Sequence, residues 1–377
     1  MNGERVNRNL KCLLLVPRMG GGGAERVLAT LANELSQRGY DIVILTLTSN
    51  ESFYQLDPKV KIIGAGYKIN RSNKLYAFLN IAGYGVKSLF FVKNYIKEWK
   101  PDIILSFLTH TNIIALMAHL FNPRIPLIIS ERTEPKVRKL PLRMVTKYLY
   151  PTANCIVCQS KKVTEFFPKY ANKKMRVIPN PINLGCIVRD DPIVRRKAII
   201  GVGRLFPEKN FSLLIESFND LKDEFPEHVL EIYGDGYLRN ELQEKINLLG
   251  LRNRAFLMGL KKDVMKYVYD AELFVMPSNY EGFPNALVEA MSSGVPVIST
   301  DFSTGIAREL IKEENGILVP VDDKEHMRNA IRRILSDNNL RNSMSRKNRE
   351  ILDVLSADKI VDMWIHIFDE LLMENKV

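Results

Sequence analysis

Short apolar runs alternate with helical patterns along the chain, and this alternation restricts the possible folds more than any other feature of the sequence. Continuous apolar strands are typical of parallel sheets that helices cover on both faces. The pattern therefore predicts an α/β fold. The runs form two series, the first at Leu13–Val16, Ile42–Leu45, Ile103–Leu105, Leu127–Ile129 and Ile156–Val157, the second at Ile199–Val202, Val229–Ile232, Leu273–Met276 and Val295–Ile298.

The interval between the two series marks a domain boundary. A polar connection begins at Pro179-Asn180-Pro181 and continues to about Lys197. Two domains also suit a length of 377 residues, since single cores rarely extend beyond about 250–300 residues. We predict two Rossmann-like, doubly wound domains that face each other across a cleft, residues 1–185 and 186–377, with the last helix returning toward the first domain.

Charge is unevenly distributed between these halves. Residues 1–190 carry 29 Lys and Arg against 12 Asp and Glu, whereas residues 191–377 carry 25 against 31. A basic half joined to a mildly acidic half disfavours a nucleic acid as partner and favours one domain that faces an anion or a membrane.

The sequence also indicates the compartment. Residues Met1–Leu10 are polar and lack the apolar centre of a signal peptide, and no uncharged apolar stretch reaches 18 residues. Cys155 and Cys158 should point to opposite faces of one strand, which disfavours a metal or redox pair. We therefore predict a cytoplasmic protein without a membrane span or a metal site.

The first strand is followed by a glycine-rich turn that enters a helix. Glycine lets a ligand approach the backbone, and the N–H groups at a helix N-terminus attract phosphate. The turn therefore predicts an anion site, although a close-packed strand-to-helix turn would have a similar sequence. Glu25 stands where a dinucleotide fingerprint requires Gly or Ala, which disfavours a dinucleotide. The candidate residues are Gly21, Gly22, Gly23, Ala24 and Glu25.

A parallel arrangement opens the second domain. Gly203 and Arg204 follow a predicted strand, and Lys209 precedes a helix. Two cations five residues apart can hold a diphosphate from one side of a crevice. Two solvated loop cations are the alternative interpretation.

The most informative segment follows the third strand of the second series. Glu281 and Gly282 precede a helix that starts near Asn285, so Glu281 should lie in the crevice and the amides of Phe283 and Asn285 should point out of it. Glu289 should lie one turn later, on the first exposed face. Such carboxylates can accept hydrogen bonds from the hydroxyls of a sugar and of a ribose. Alternatively, they are a helix N-terminal charge and a surface residue.

These motifs, in this order, resemble glycosyltransferase family 4, the retaining sugar-nucleotide glycosyltransferases of the GT-B fold. The resemblance covers roughly residues 11–370. The segment Ser130–Pro135 further resembles the branch that acts on hexose- or N-acetylhexosamine-containing glycans carried by a polyprenyl diphosphate. The matching segments are Gly22–Arg26, Ile178–Pro181, Gly203–Leu205 with Lys209, and Glu281 with Glu289.

The resemblance implies a hexosyltransferase that moves a sugar from a UDP-sugar to a lipid-linked glycan, in bacterial surface polysaccharide or glycoconjugate synthesis. It assigns Glu281, Arg204 and Lys209 to catalysis. No Asp-x-Asp sequence occurs in the chain, so the two cations would take the place of a metal ion, and no cofactor is expected. The implied donor-binding residues are Glu289, Gly203, Gly282, Phe283, Pro284, Asn285 and Leu287.

Three further residues are candidates by the same resemblance. Many relatives place a histidine after the fourth strand of the first domain, and His110 is the nearest here. An ordinary loop or cap residue is the alternative for it. Glu131 and Arg132 belong to the segment that indicates the lipid-linked branch.

A basic segment in the first domain has an amphipathic pattern. Arg143 and Lys147 share one face of a predicted helix, among apolar residues. Such a segment suits the anionic inner face of the cell membrane, where a lipid-linked acceptor would be met. A solvated helix over the core is the alternative. The predicted membrane-surface residues are Lys136, Arg138, Lys139, Arg143 and Lys147.

Two other functions remain open at this point. A sugar-nucleotide epimerase on the same fold would convert the donor without any acceptor. A non-catalytic partner subunit would keep the fold and turn over no donor, although the intact glutamates and cations disfavour it.

Overall fold

The computed structural model describes residues 10–67, 74–182 and 195–374, and for residues 74–82 the backbone alone. The chain divides into two compact units. One combines Met1–Pro181 with Ala357–Val377, and the other is Ile182–Ser356. The second unit therefore ends at Ser356 rather than at residue 377. Most of the predicted polar connection, residues 183–194, lies outside the described residues, as do residues 1–9.

The first unit is built on one parallel sheet. The strand order is 3-2-1-4-5-6-7 along the chain numbering, so the order reverses between the first and fourth strands. Its strands are β1 (Lys11–Val16), β2 (Asp41–Thr46), β3 (Lys61–Gly64), β4 (Ile103–Phe107), β5 (Leu127–Ser130), β6 (Cys155–Cys158) and β7 (Met175–Val177). Its helices before the domain boundary are α1 (Gly23–Gln37), α2 (Lys74–Trp99), α3 (Thr109–His119), α4 (Leu140–Leu149) and α5 (Lys161–Thr164), with 3-10 turns at Pro135–Val137, Tyr150–Thr152 and Lys169–Lys174.

Helices α2, α3 and α4 form a layer on one face of this sheet. Val92 and Ile96 of α2 join Leu116 of α3 in one apolar cluster with alternate residues of the strands, and Leu149 of α4 packs against the same cluster. Apolar residues at helical spacing form one face of each helix, and that face packs against the sheet.

The second unit repeats the architecture of the first. Its parallel sheet has the order β10-β9-β8-β11-β12-β13, which reverses between β8 and β11. Its strands are β8 (Arg196–Val202), β9 (Val229–Tyr233), β10 (Ala255–Gly259), β11 (Ala271–Met276), β12 (Val297–Thr300) and β13 (Gly316–Val319). Its helices are α6 (Phe211–Asn219), α7 (Arg239–Leu248), α8 (Met265–Val268), α9 (Asn285–Ser292), α10 (Ile306–Leu310), α11 (Lys324–Ser336), α12 (Asn338–Arg349) and α13 (Ile351–Leu355), with a 3-10 turn at Pro207–Lys209.

The last helix, α14 (Ala357–Glu374), belongs to the first unit. Trp364 is fully buried against Phe107 at the end of β4, with 6.1 Å between ring centroids. Arg38 at the end of α1 pairs with Asp358 and Asp362. The helix therefore covers the sheet face opposite to α2–α4.

Two doubly wound α/β units confirm the predicted fold class. Within the described residues, no helix combines the length and apolar character needed to cross a bilayer. The thiols of Cys12, Cys155 and Cys158 are buried, and burial raises their pKa, for Cys155 to about 12. These cysteines are core residues.

Candidate active site

The predicted catalytic residues lie where the strand order of the second sheet reverses. Segment 203–210 follows β8, and segment 277–284 follows the neighbouring strand β11. Because connections from these two strands diverge to opposite faces of the sheet, a crevice opens between them at the carboxyl edge. This edge is where ligands of doubly wound units bind.

Lys209 and Glu281 come together in this crevice. The Lys209 ammonium forms an ion pair with Glu281 Oε1, and the Ser278 hydroxyl donates to the same oxygen over 2.7 Å. The two side chains are 17% and 11% exposed, so solvent weakens the pair only partly. The structure thus holds a carboxylate and an ammonium in one place at the crevice.

Arg204 projects from the same segment but is largely exposed, with 68% of its side chain accessible. Its Nη2 donates to Glu208 Oε1 over 3.0 Å, and its guanidinium lies 4.7 Å from the ring centroid of Phe206. Phe206 in turn packs on Tyr237. The ion pair with Glu208 and the cation–π contact with Phe206 therefore orient the exposed guanidinium of Arg204. Neither partner was predicted from the sequence, although Glu208 has the i, i+4 spacing that favours an ion pair.

Hydrogen bonds join the two segments. The Asn279 N–H donates to the Glu208 carbonyl over 2.8 Å, and Asn279 Nδ2 donates to the Pro207 carbonyl over 3.2 Å. Pro207 begins the 3-10 turn, and Asn210 ends it with a left-handed φ of 46°. The Asn210 amide then donates to Asn279 Oδ1 over 3.1 Å. The cations and Glu281 are consequently held by one connected loop pair.

A third loop contacts Gly203 so closely that only glycine fits. Gly234 has φ of +141°, and a Cβ there would lie 1.8 Å from the Gly203 carbonyl oxygen. The loop after β9 therefore packs backbone against backbone beneath Arg204.

Gly234→Ala should destabilise the second unit by more than about 2 kcal/mol, because a left-handed φ and a backbone clash add together. Gly250→Ala is the matched control, since Gly250 has φ of +69° with nothing within 4 Å of its Cβ position. Urea unfolding should show a loss of about 1 kcal/mol for the control and a clearly larger loss for Gly234→Ala. Equal losses would contradict the close contact.

Helix α9 differs from its prediction in three ways. The N–H of Asn285, a residue expected to bind the donor, donates to the Phe283 carbonyl over 2.9 Å. Leu287 is fully buried, so its side chain belongs to the core. Glu289 is 5% exposed rather than on an exposed face, because α9 is covered by strands β11 and β12 and by helices α12 and α13. Gly282 is half-buried, and Phe283 and Pro284 are buried.

The glycine-rich turn of the first unit holds a carboxylate of its own. Gly22 is the N-cap of α1, and Glu25 is the third residue of the helix, from which a glutamate can reach back over the cap. A Cβ on Gly22 would lie 2.3 Å from Glu25 Oε2, and Glu25 is 9% exposed. The predicted phosphate position therefore lies beside a negative charge, whereas Gly21 and Gly23 are exposed and Ala24 is half-buried.

The further candidates lie at the carboxyl edge of the first sheet. His110 is exposed, on the first turn of α3 directly after β4. Glu131 and Arg132 are buried after β5. Arg132 donates to Asn180 Oδ1 over 2.6 Å and lies over Phe107, and burial lowers its pKa to about 9.

One predicted membrane residue is wrong. The Arg138 side chain is 7% exposed and forms an ion pair with Glu131, and it also donates to Thr146 Oγ1 over 3.2 Å. These contacts of Arg138 hold the segment that precedes α4 against the rest of the first unit. Lys136 and Lys139 are exposed, and Arg143 and Lys147 are half-buried.

Comparisons with known proteins agree with this architecture. Residues 21–185 match the family model described as Glycosyltransferase Family 4, and residues 190–351 match the model described as Glycosyl transferases group 1. An N-acetylgalactosamine-N,N'-diacetylbacillosaminyl-diphospho-undecaprenol 4-alpha-N-acetylgalactosaminyltransferase from Campylobacter jejuni is 32% identical over 92% of this chain and 95% of the relative. A UDP-Gal:alpha-D-GlcNAc-diphosphoundecaprenol alpha-1,3-galactosyltransferase from Escherichia coli is 28% identical over 74% of this chain and 79% of the relative.

Solved structures show the same fold. A sucrose-phosphate synthase from Thermosynechococcus elongatus superposes with a TM-score of 0.81 at 19% identity, over 97% of this chain and 100% of that chain. HepE from Anabaena, solved in complex with UDP and glucose, superposes with a TM-score of 0.76 at 18% identity, over 96% of this chain and 100% of that chain. Fold and relatives together define a glycosyltransferase of the GT-B class. The chain belongs to glycosyltransferase family 4, which confirms the resemblance of its motifs.

Proposed function

We propose that this glycosyltransferase moves a hexose or N-acetylhexosamine from a UDP-sugar to a polyprenyl-diphosphate-linked glycan, with retention of the anomeric configuration, in bacterial surface polysaccharide or glycoconjugate synthesis. The observation that carries the proposal is the Lys209–Glu281 pair beside Arg204 at the reversal point of the second sheet. The names of the Campylobacter and Escherichia relatives, which specify undecaprenyl diphosphate carriers, support the acceptor class.

In the proposed reaction, the diphosphate of the donor binds between Arg204 and Lys209. The bond from the anomeric carbon to the diphosphate oxygen breaks, and a bond to the acceptor hydroxyl oxygen forms on the same face. The hydroxyl proton passes to the leaving diphosphate oxygen. The two cations stabilise the negative charge that develops on that oxygen, in a site already arranged for it.

Glu281 has a positioning task toward the sugar. One of its oxygens binds Lys209 and Ser278, which orients the carboxylate to accept hydrogen bonds from hydroxyls of the transferred sugar. Glu289, the fifth residue of α9, would accept from the ribose hydroxyls. Because Glu289 is 5% exposed, little of its side chain would be available for that contact.

The proposal includes no metal ion, because Arg204 and Lys209 can take the charge of a diphosphate. Because the sugar is transferred to an acceptor, UDP release should require both a UDP-sugar and a lipid-linked glycan. Because no metal ion takes part, UDP release should continue in excess EDTA. A panel of UDP- and GDP-sugars, tested for thermal stabilisation, would first identify the donor. Conversion of the donor without acceptor would favour an epimerase, and reversible loss of turnover in EDTA would refute the metal-free scheme.

The proposed acceptor is carried by a lipid in a membrane, so the enzyme must reach the membrane surface. Helix α4 and the residues before it expose Leu140, Met144, Val145 and Tyr148. The cations Lys136, Lys139, Arg143 and Lys147 alternate with these apolar side chains. Apolar side chains mixed with cations suit the anionic inner face of a cell membrane. We place the protein there as a peripheral cytoplasmic enzyme, without Arg138 in the contact.

A further inference from the structure

The outer face of the α2–α4 layer exposes many more large apolar side chains than the opposite face of the first unit. Besides those of α4, Val86 and Phe90 of α2 and Met117 of α3 are exposed, as are Leu120 and Phe121 directly after α3. On the opposite face, the described residues of α1 and α14 expose Met363 and Met373. Large exposed apolar side chains are therefore more numerous on the α2–α4 side of the sheet than on the side of α1 and α14.

Three of these apolar residues and Lys93 form a patch that joins α2 to the end of α3. Lys93 Nζ lies 4.0 Å from the ring centroid of Phe121 and 5.9 Å from that of Phe90. Leu120, next to Phe121, is 74% exposed. We call Phe90, Lys93, Leu120 and Phe121 the α2–α3 patch. A lysine between two exposed aromatic rings has its stem on apolar surface and its charge available at the edge.

The surroundings of the patch are basic. Lys87 and Lys97 on α2 and Arg124 after α3 are exposed, with Glu98 as the acidic residue of this stretch of α2. Exposed aromatic and aliphatic side chains among cations are typical of surfaces that enter the headgroup region of an anionic bilayer.

We propose that the α2–α3 patch inserts into an anionic bilayer as a second contact beside α4. The inference rests on the proposed function, because a lipid-linked acceptor brings the enzyme to the membrane. It adds that the whole helical layer faces the bilayer, since α2, α3 and α4 cover the same face of one sheet. Two separate contacts in one layer would fix the orientation of the first unit, which a single helix would leave free to rotate.

Sedimentation of the full chain with vesicles tests the inference. With phosphatidylglycerol–phosphatidylcholine vesicles, Phe90→Ser with Phe121→Ser should lower the partition coefficient at least ten-fold, because burial of each phenylalanine contributes to binding. Met117→Ser should weaken binding measurably, whereas Met363→Ser should not. These two methionines are 43% and 40% exposed on opposite faces of the unit, which makes them a matched pair.

A second measurement does not depend on the binding constant. Leu120→Trp should show blue-shifted emission and quenching by brominated phosphatidylglycerol, and Met363→Trp should show neither. Unchanged binding of the Phe90/Phe121 variant, or equal quenching at both positions, would overturn the inference. So would loss of self-association in that variant without any change in vesicle binding, which would assign the patch to a second copy of the chain.

The result for the α2–α3 patch can be distinguished from the result for the proposed function. If the patch variants fail on vesicles but transfer sugar to a soluble short-chain acceptor, both proposals hold. If the wild type binds vesicles through the patch but turns over no UDP-sugar, the inference holds and the proposed function fails.

Discussion

Arg204→Ala should lower kcat for sugar transfer by roughly 10²–10³-fold, the range observed when a single group that stabilises transition-state charge is removed. The stability of the protein should change by no more than about 0.5 kcal/mol, because the side chain is largely exposed and no core contact is lost. Initial rates of UDP release and a thermal melt of the same preparation measure both quantities. Arg204→Lys keeps the charge but not the forked geometry, and it should recover only part of the rate.

Two comparisons make this result specific. Arg252→Ala removes an exposed arginine that precedes β10, at the amino edge of the second sheet and opposite to the crevice, and should leave kcat unchanged. Lys209→Met should reduce kcat as strongly as Arg204→Ala but should also lower stability, because Glu281 would remain buried without its partner. Normal turnover in Arg204→Ala would remove the arginine from the proposed charge stabilisation.

Replacement of Lys136, Lys139, Arg143 and Lys147 by Gln should weaken binding to anionic vesicles by roughly 10²-fold or more. Each cation near an anionic surface contributes about 1 kcal/mol, and about 1.4 kcal/mol corresponds to a factor of ten. Activity on membrane-bound acceptor should fall in parallel, whereas activity on a soluble short-chain analogue should persist. Vesicle sedimentation and the two activity assays on one variant test this prediction.

A control with the same change in net charge is available in the first unit. Lys59, Lys61, Lys161 and Lys359 are exposed and lie outside helix α4 and the segment before it. Their joint replacement by Gln should have a much smaller effect on vesicle binding. Equal effects of the two quadruple variants would indicate that net charge alone, rather than the surface of α4, directs the protein to the bilayer. Loss of activity on both acceptors would assign the α4 cations to the fold or the crevice.

The architecture could be predicted from sequence because its signal is repeated many times. Most buried strands contain a run of apolar residues, such as Ile42–Leu45, because helices cover both faces of a parallel sheet. The return of the last helix, α14, to the first unit was also predicted, although not from a repeated pattern. It depends on Trp364 packing on Phe107, a contact between residues more than 250 positions apart that no local pattern encodes.

The candidate site was predictable at the level of its motifs but not of its contacts. Glu281 and Lys209 were expected at one crevice, and the structure brings them together. The burial of Glu289 could not be anticipated, because it is decided by helices α12 and α13, which follow much later in the chain. Arg138 was misassigned for a related reason. Its charge and spacing resemble those of its exposed neighbours, and only the buried carboxylate of Glu131 distinguishes it.

The partners of Arg204 show what local sequence does contain. Glu208 is four residues away, a spacing that favours an ion pair, and Phe206 is two residues away. The hydrogen bond from Asn279 to this segment could not be predicted, because Asn279 follows the neighbouring strand β11, which is distant in the sequence. Long-range contacts of this kind decide which of several plausible cations is oriented.

In the proposed reaction, Arg204 and Lys209 hold the donor diphosphate beside Glu281. The most direct test is a crystal structure of the protein with UDP, grown in the presence of EDTA. We expect phosphate oxygens within hydrogen-bond distance of both cations, with no metal ion between them. A diphosphate bound away from the segments that follow β8 and β11, or no binding until a divalent ion is restored, would contradict it.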